Sequence, residues 1–257
     1  MTYLEALILA VIEGITEFLP ISSTGHMVIA STFMGISENT LTKNFEIVIQ
    51  LGAILSVVVL YWRKFLTSFR FYLKLSFAFL PAAVAGFFLE DYIDHLLANV
   101  WVVIASVFFG GIFLVFVDRW FKHAEGTEEL EISWFQGFKI GCFQCIAMIP
   151  GVSRAAATII GGMVVGLNRR TSAEFSFFLA VPTMLGASTK KLMDSYKTIQ
   201  HHDIAILLFG SIVAFAVAML AIKGFIGFLK QHGFKWFGYY RIVVGVVIAI
   251  ITFFMQA

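Results

Sequence analysis

Charge is scarce in this sequence. Only 13% of its 257 residues are Asp, Glu, Lys or Arg, about half the share found in an ordinary globular domain. The formal net charge is +2 and the basic residues are scattered between apolar runs. That excludes nucleic acid as a partner, which needs a concentrated basic face. Cysteine is also rare: Cys142 and Cys145 share one apolar stretch. No second ligand pair completes a tetrahedral zinc site around them, so they read as small residues in helix packing. A cleavable signal leader is missing too. The first apolar run carries Glu5, Glu13 and Glu17 with no basic segment ahead of it, so this run is expected to stay in the mature fold.

Apolar surface is what the chain has in excess. It is 60% hydrophobic with a mean hydropathy of +0.90, more than one soluble core can hide, and a bilayer is the solvent that fits. Six runs, at residues 45–62, 76–89, 100–117, 175–187, 204–222 and 239–255, are predicted to be transmembrane helices near the ~20 residues a span requires. The run at 76–89 is short. Two further apolar regions, 4–34 and 135–167, are broken at their centres by Pro, Gly, Ser and ionisable residues. Broken backbone at membrane depth is tolerated only where protein or a water-filled cavity covers it, so each reads as a re-entrant helix-loop-helix hairpin. The expected fold is an all-α polytopic membrane protein, one membrane domain over residues 1–257.

The two halves resemble each other. Pro20-Ile21-Ser22-Ser23 in the first matches Pro150-Gly151-Val152-Ser153 in the second, and Glu46 and Glu174 open the following spans. With three spans per half the second copy enters from the opposite side. This is an inverted-topology repeat, about 1–120 and 133–257, with its two hairpins tip to tip near the midplane. Basic residues accumulate on the cytoplasmic side. The loop bearing Arg63, Lys64, Arg70 and Lys74 is therefore expected inside, as are Arg119 and Lys122 and then Lys223, Lys230 and Lys235. The connection with Glu90, Asp91 and Asp94 and both termini fall outside. Lys190, Lys191 and Lys197 dissent, since the same count places them outside.

The chemistry sits at the two breaks. Glu13 and Glu17 lie one helical turn apart and share a helix face. Carboxylates in such surroundings reach interfacial water from a shallow helix, or they form an acid/base pair or a site for a divalent cation such as Mg²⁺ or Ca²⁺. Proline then ends the helix and Ser22, Ser23, Thr24, Gly25 and His26 follow. Gly25 permits close backbone approach, and free amides at the start of the next helix favour phosphate. His26 is a candidate nucleophile or general acid/base, and Ser23 an alternative nucleophile with His26 as its base. The second break supplies a cation, Arg154, together with Gly151, Ser153 and Thr158. A guanidinium at this depth needs an anion: a phosphate gripped at two points, a structural pair with Glu13 or Glu17, or both in competition. Gln144 stands where the first hairpin has acids.

Other features take plainer readings. Gly162 and Gly166 form a small-residue packing face. His201-His202-Asp203 is a solvated loop, and the 29 phenylalanines face lipid, pack helices or line a groove for an isoprenoid tail.

At these motifs the sequence resembles the undecaprenyl-diphosphate phosphatase family of the bacitracin-resistance type. Glu13-Gly14-Ile15-Thr16-Glu17-Phe18-Leu19-Pro20 continuing through Ser22-Ser23-Thr24-Gly25-His26 carries the likeness, as do Pro150-Gly151-Val152-Ser153-Arg154 with Thr158 and Glu174-Phe175-Ser176-Phe177. The resemblance implies removal of the terminal phosphate from undecaprenyl diphosphate, giving the monophosphate carrier for peptidoglycan synthesis, with metal-ion help. It implies a bacterial inner-membrane enzyme whose site opens to the outer face. Catalytic weight falls on Glu13, Glu17, Ser23, His26, Ser153, Arg154 and Thr158. The family usually continues Ser-Gly after Arg154, where this chain has Ala155-Ala156, so a hydroxyl and a flexible position are missing. The expected partners are the bilayer and a polyprenyl diphosphate, with a homodimer left open. The rival reading is a lipid-phosphate transporter or flippase using the same residues.

Overall fold

The computed structural model describes residues 1–66, 69–97, 99–121 and 132–256. Lys122, expected on the cytoplasmic side, lies outside the described residues. The described chain folds into α1 (Tyr3–Thr16), α2 (Ser23–Phe33), α3 (Thr40–Leu60), α4 (Trp62–Phe65), α5 (Phe69–Phe88), α6 (Glu90–Leu97) and α7 (Val100–Trp120). The second half contributes α8 (Trp134–Ile146), α9 (Arg154–Val164), α10 (Arg169–Ser195), α11 (Ile204–His232) and α12 (Lys235–Gln256). No strand occurs among the described residues.

Local sequence sets the helix starts. Thr2 with Glu5 and Ser133 with Gln136 form reciprocal capping boxes at α1 and α8, each satisfying two otherwise orphaned groups. Asn39, Asn99 and Asn168 cap α3, α7 and α10 through their side chains. Gly233, at φ 68°, ends α11.

Five helical stretches are long and apolar enough to cross a membrane: Thr40–Leu60, Phe69–Phe88, Val100–Trp120, His201–His232 and Lys235–Phe254. Large apolar side chains such as Phe88, Phe109, Leu220 and Phe254 stand more than 60% exposed on their outer faces, an arrangement suited to lipid rather than water. The chain is a multi-pass membrane protein.

The sixth predicted run, 175–187, lies inside α10 and is not among the five. This helix is 27 residues long, but Thr171, Ser172, Glu174, Ser176 and Ser188 on it are buried. Surrounding protein, not lipid, covers them, which lifts the demand for an apolar sequence. The short run at 76–89 belongs to a full helix that begins at Phe69, so Arg70 and Lys74 lie within α5 rather than in a loop. Lys223 and Lys230 likewise lie within α11. Lys190 forms an ion pair with Glu90, which places a dissenting lysine beside the acidic connection.

The halves are interleaved. Helix α1 packs on α11 and α8 packs on α5, so the first helix of each broken segment is held by the other half of the chain. Helix α3 contacts both α11 and α10, while α7 and α12 pair along their lengths. The main core joins Phe18, Phe177 and Phe225 through edge and tilted ring contacts of 5.5 and 6.1 Å. A second core gathers Leu9, Phe45, Ile49 and Ala214.

Gly162 packs against Ser172 as expected, but Gly166 has open space around it and sits at φ 92°. It turns the chain after α9 instead of packing a helix face. Gly111 lies at a close approach of α7 to α12: a Cβ there would stand 2.9 Å from Arg241 Cβ and from the Gly238 carbonyl. Gly111→Val is expected to destabilise the protein by about 1–3 kcal/mol through overpacking, read as a lower thermal midpoint in detergent. Gly224→Ala, where a Cβ meets nothing within 4 Å, is expected not to lower it.

Candidate active site

Each broken segment ends its first helix, turns, and starts its second helix on a serine cap. Ser22 (φ 71°) caps α2 and Ser153 (φ 75°) caps α9, and these are the non-glycine residues with positive φ among those described. Such backbone costs on the order of 1–3 kcal/mol and persists where surroundings over-determine it. Each serine hydroxyl accepts the amide three residues on, Gly25 at 3.3 Å and Ala156 at 3.2 Å. Ser22 is therefore the structural counterpart of Ser153. The sequence match paired Ser23 with Ser153, one position out. The difference is Gly151, an extra residue at φ 91° whose added Cβ would lie 2.6 Å from the Val103 carbonyl of α7. Ser23 and Arg154 thus hold the same place, the first residue of their helices.

Those two residues meet on one carboxylate. Ser23 Oγ donates to Glu17 Oε2 at 2.6 Å and Arg154 Nη2 donates to Glu17 Oε1 at 2.9 Å. The Glu17 side chain is 6% exposed and that of Arg154 13%. Ser153 Oγ reaches the Leu19 carbonyl at 3.5 Å, so the tips touch twice. Arg154 Nη1 donates to the carbonyl of Ser176 at 3.1 Å and to its hydroxyl at 3.4 Å, and Thr158 and Ser176 share a hydrogen bond of 2.6 Å. Ser176 on α10 is the partner that spacing alone did not assign. The Arg154 Nε–H has no partner, and neither oxygen of the fully buried Glu13 carboxylate has one.

His26 is held at both ring nitrogens. Nδ1 lies 2.7 Å from the Ser22 carbonyl and Nε2 lies 2.8 Å from the Tyr240 hydroxyl. Ser23 thus donates to Glu17, while His26 faces Tyr240. Thr24 is exposed and Gly25 buried at the start of α2. The first amides of α2 and α9 carry the positive ends of their helix dipoles. Ala155 and Ala156, where the resembled family carries Ser-Gly, are buried within α9.

Sequence reasoning missed Arg241. It is fully buried without a carboxylate, and its five N–H groups are matched by five backbone carbonyls. Ser106 and Val107 belong to α7, Pro20 to the first tip, and Gly151 and Val152 to the second, at 2.8–3.2 Å. The available signal was one Arg opening an apolar run, which equally marks an interfacial anchor. Gln144 is turned to Thr183 on α10 at 3.0 Å, away from the Glu17 network. Cys142 and Cys145 are free thiols. His202 and Asp203 pair at 3.4 Å in a 3-10 turn. No group of three His, Cys, Asp or Glu able to hold a metal occurs among the described residues.

Two broken helices whose charged tips meet inside an apolar helical bundle define a multi-pass membrane protein with a buried polar site. The chain matches the family described as bacitracin resistance protein BacA over residues 6–247, and it belongs to that family. It is 57% identical over 260 residues to the undecaprenyl-diphosphatase of Flavobacterium johnsoniae, covering 100% of this chain and 98% of that one. Against the undecaprenyl-diphosphatase of Bdellovibrio bacteriovorus it is 54% identical over 255 residues, 98% of this chain and 97% of that one. The corresponding protein of Aquifex aeolicus is 45% identical over 253 residues, 97% and 98% of the two chains.

Arg241→Met leaves five buried carbonyls without their donor. It is expected to cost about 3–5 kcal/mol of stability, with Arg241→Lys intermediate, measured by thermal unfolding in detergent.

Proposed function

We propose that this chain hydrolyses undecaprenyl diphosphate to undecaprenyl phosphate and inorganic phosphate, returning the lipid carrier to peptidoglycan synthesis and so conferring bacitracin resistance. The relatives named undecaprenyl-diphosphatase, nearly full length at 45–57% identity, support it. The observation that carries it is Glu17, which joins the Ser23 hydroxyl of one tip to the Arg154 guanidinium of the other. A transporter built on the same residues finds no support in these relatives.

In this reading the diphosphate lies between the tips. Arg154 grips it with its spare Nε–H and with donors released from Ser176, and the amides opening α2 and α9 hold the remaining oxygens along with Ser22, Thr24, Gly25, Gly151, Ser153 and Thr158. Ser23 Oγ attacks the terminal phosphorus while its proton passes to Glu17 Oε2, which already accepts it at 2.6 Å. The bond from that phosphorus to the bridging oxygen breaks and undecaprenyl phosphate leaves as its anion. Water then cleaves the Ser23 phosphoester. The Glu17 proton returns to Ser23 Oγ, and the water's proton is taken up by His26.

A buried carboxylate with no donor fits a cation, and Glu13 is one. Glu13 with Glu17 would hold Mg²⁺ or Ca²⁺ through their carboxylates. When bound, the ion neutralises charge that builds on those oxygens.

The broken segments act as re-entrant hairpins inside an inverted repeat of about 1–120 and 133–257, with α10 as the sixth span. The cross-packing of α1 on α11 and α8 on α5, and the paired serine caps, support that plan. The site opens to the outer face of the bacterial inner membrane.

Ser23→Ala, His26→Ala and Arg154→Ala are each expected to cut phosphate release from undecaprenyl diphosphate in detergent by about 10²-fold or more. A Ser23→Ala enzyme close to wild type would remove the nucleophile assigned here. A chelator is expected to silence the enzyme, and added Mg²⁺ or Ca²⁺ to restore it. Full turnover in the chelator's presence would remove the metal.

A further inference from the structure

Tyr240 stands on α12, far in sequence from either motif, with its ring 44% exposed. Its hydroxyl is 2.8 Å from His26 Nε2, and the two rings are parallel to within 2°. At the other side of the imidazole, Nδ1 is 2.7 Å from the Ser22 carbonyl. A carbonyl oxygen only accepts, so Nδ1 carries the proton and Nε2 of the neutral ring presents its lone pair. Tyr240 donates to that lone pair. The next residue, Arg241, ties this turn of α12 to both tips and to α7 through five carbonyls, so the hydroxyl is presented from a fixed backbone.

We infer that Tyr240 is a positioning residue for the reaction, acting through His26: with the Ser22 carbonyl it fixes the tautomer and plane of the imidazole and stays bonded to it through the proton cycle. The choice of hydroxyl matters. A carboxylate at Nε2 would only accept and would hold the ring in its charged form, whereas a phenol donates to the neutral ring and accepts from the charged one. As His26 takes up the proton of the attacking water at Nε2, the Tyr240 hydroxyl turns its own hydrogen away from that nitrogen. The hydroxyl then accepts from Nε2–H, with no atom or charge unaccounted for. Tyr240 thus completes a line of Ser22 carbonyl, His26 and Tyr240 that lies beside the Ser23, Glu17 and Arg154 line and shares no side chain with it.

This inference rests on the phosphatase reading, and one set of assays separates the two. Purified wild type, Tyr240→Phe, His26→Gln, the double variant and the neighbouring control Tyr239→Phe are assayed for phosphate release from undecaprenyl diphosphate, with thermal midpoints in parallel. Tyr240→Phe removes one oxygen from a half-exposed ring. Its kcat is expected to fall about tenfold, the worth of one lost hydrogen bond in the transition state, with KM and thermal midpoint unchanged. In the His26→Gln background it should cost nothing further, because the group it serves is gone. A purely structural Tyr240 would lower the midpoint and multiply its loss into that of His26→Gln. Wild-type kcat in Tyr240→Phe, a change confined to KM, or multiplying losses would each overturn the inference. A wild type that releases no phosphate would instead sink the phosphatase reading.

Discussion

A carboxylate and a guanidinium buried among apolar helices are each costly to desolvate, and here each offsets that cost by pairing with the other. Glu17 and Arg154 come from different halves of the chain and meet at 2.9 Å with little solvent access. Separating them strands a charge, a loss of about 3–5 kcal/mol, so the two broken segments are obliged to sit tip to tip. The interleaving of the halves serves the same end. With α1 held by α11 and α8 by α5, neither tip can withdraw without opening an interface made by the other half.

The molecule uses two buried arginines in opposite ways, and donor accounting separates them. Arg241 has every N–H on a carbonyl and none to offer a ligand, so it sets geometry. By drawing the Pro20, Gly151 and Val152 carbonyls toward itself, it turns the following amides the other way, since C=O and N–H oppose each other across a trans peptide. Arg154 keeps an unpaired Nε–H, and its terminal nitrogens bind the Ser176 carbonyl and the Glu17 carboxylate. The first holds the frame of the site and the second has a donor to spare.

Much of this was legible in the sequence because it is written in residue types. Proline, serine and ionisable groups inside apolar runs mark the two breaks, and the forked cation opposite paired acids anticipates the Glu17–Arg154 bond. Arg241 was not legible because its partners are backbone carbonyls, which every residue has. Tyr240 was missed because a tyrosine near the end of an apolar run reads as an interfacial anchor. The extent of α10 was hidden by polar residues that surrounding protein covers. The one-residue offset between the tips came from Gly151, whose inserted position shows only when the backbone is traced.

The likeness of the tips stops at the backbone, and that is why two copies of one motif make a single site. At the first position of the second helix, one tip carries the Ser23 hydroxyl and the other the Arg154 guanidinium. In the first helix, Glu13 and Gln144 lie equally far ahead of their capping serines, yet Gln144 is satisfied by Thr183 while Glu13 has no partner. A second carboxylate at Gln144 would lack a cation and carry a desolvation cost of several kcal/mol. A neutral amide avoids it. A repeat with identical tips would place like charges against each other. Placing the acids and the Ser23 hydroxyl in one tip and the cation in the other turns that repulsion into the Glu17–Arg154 bond.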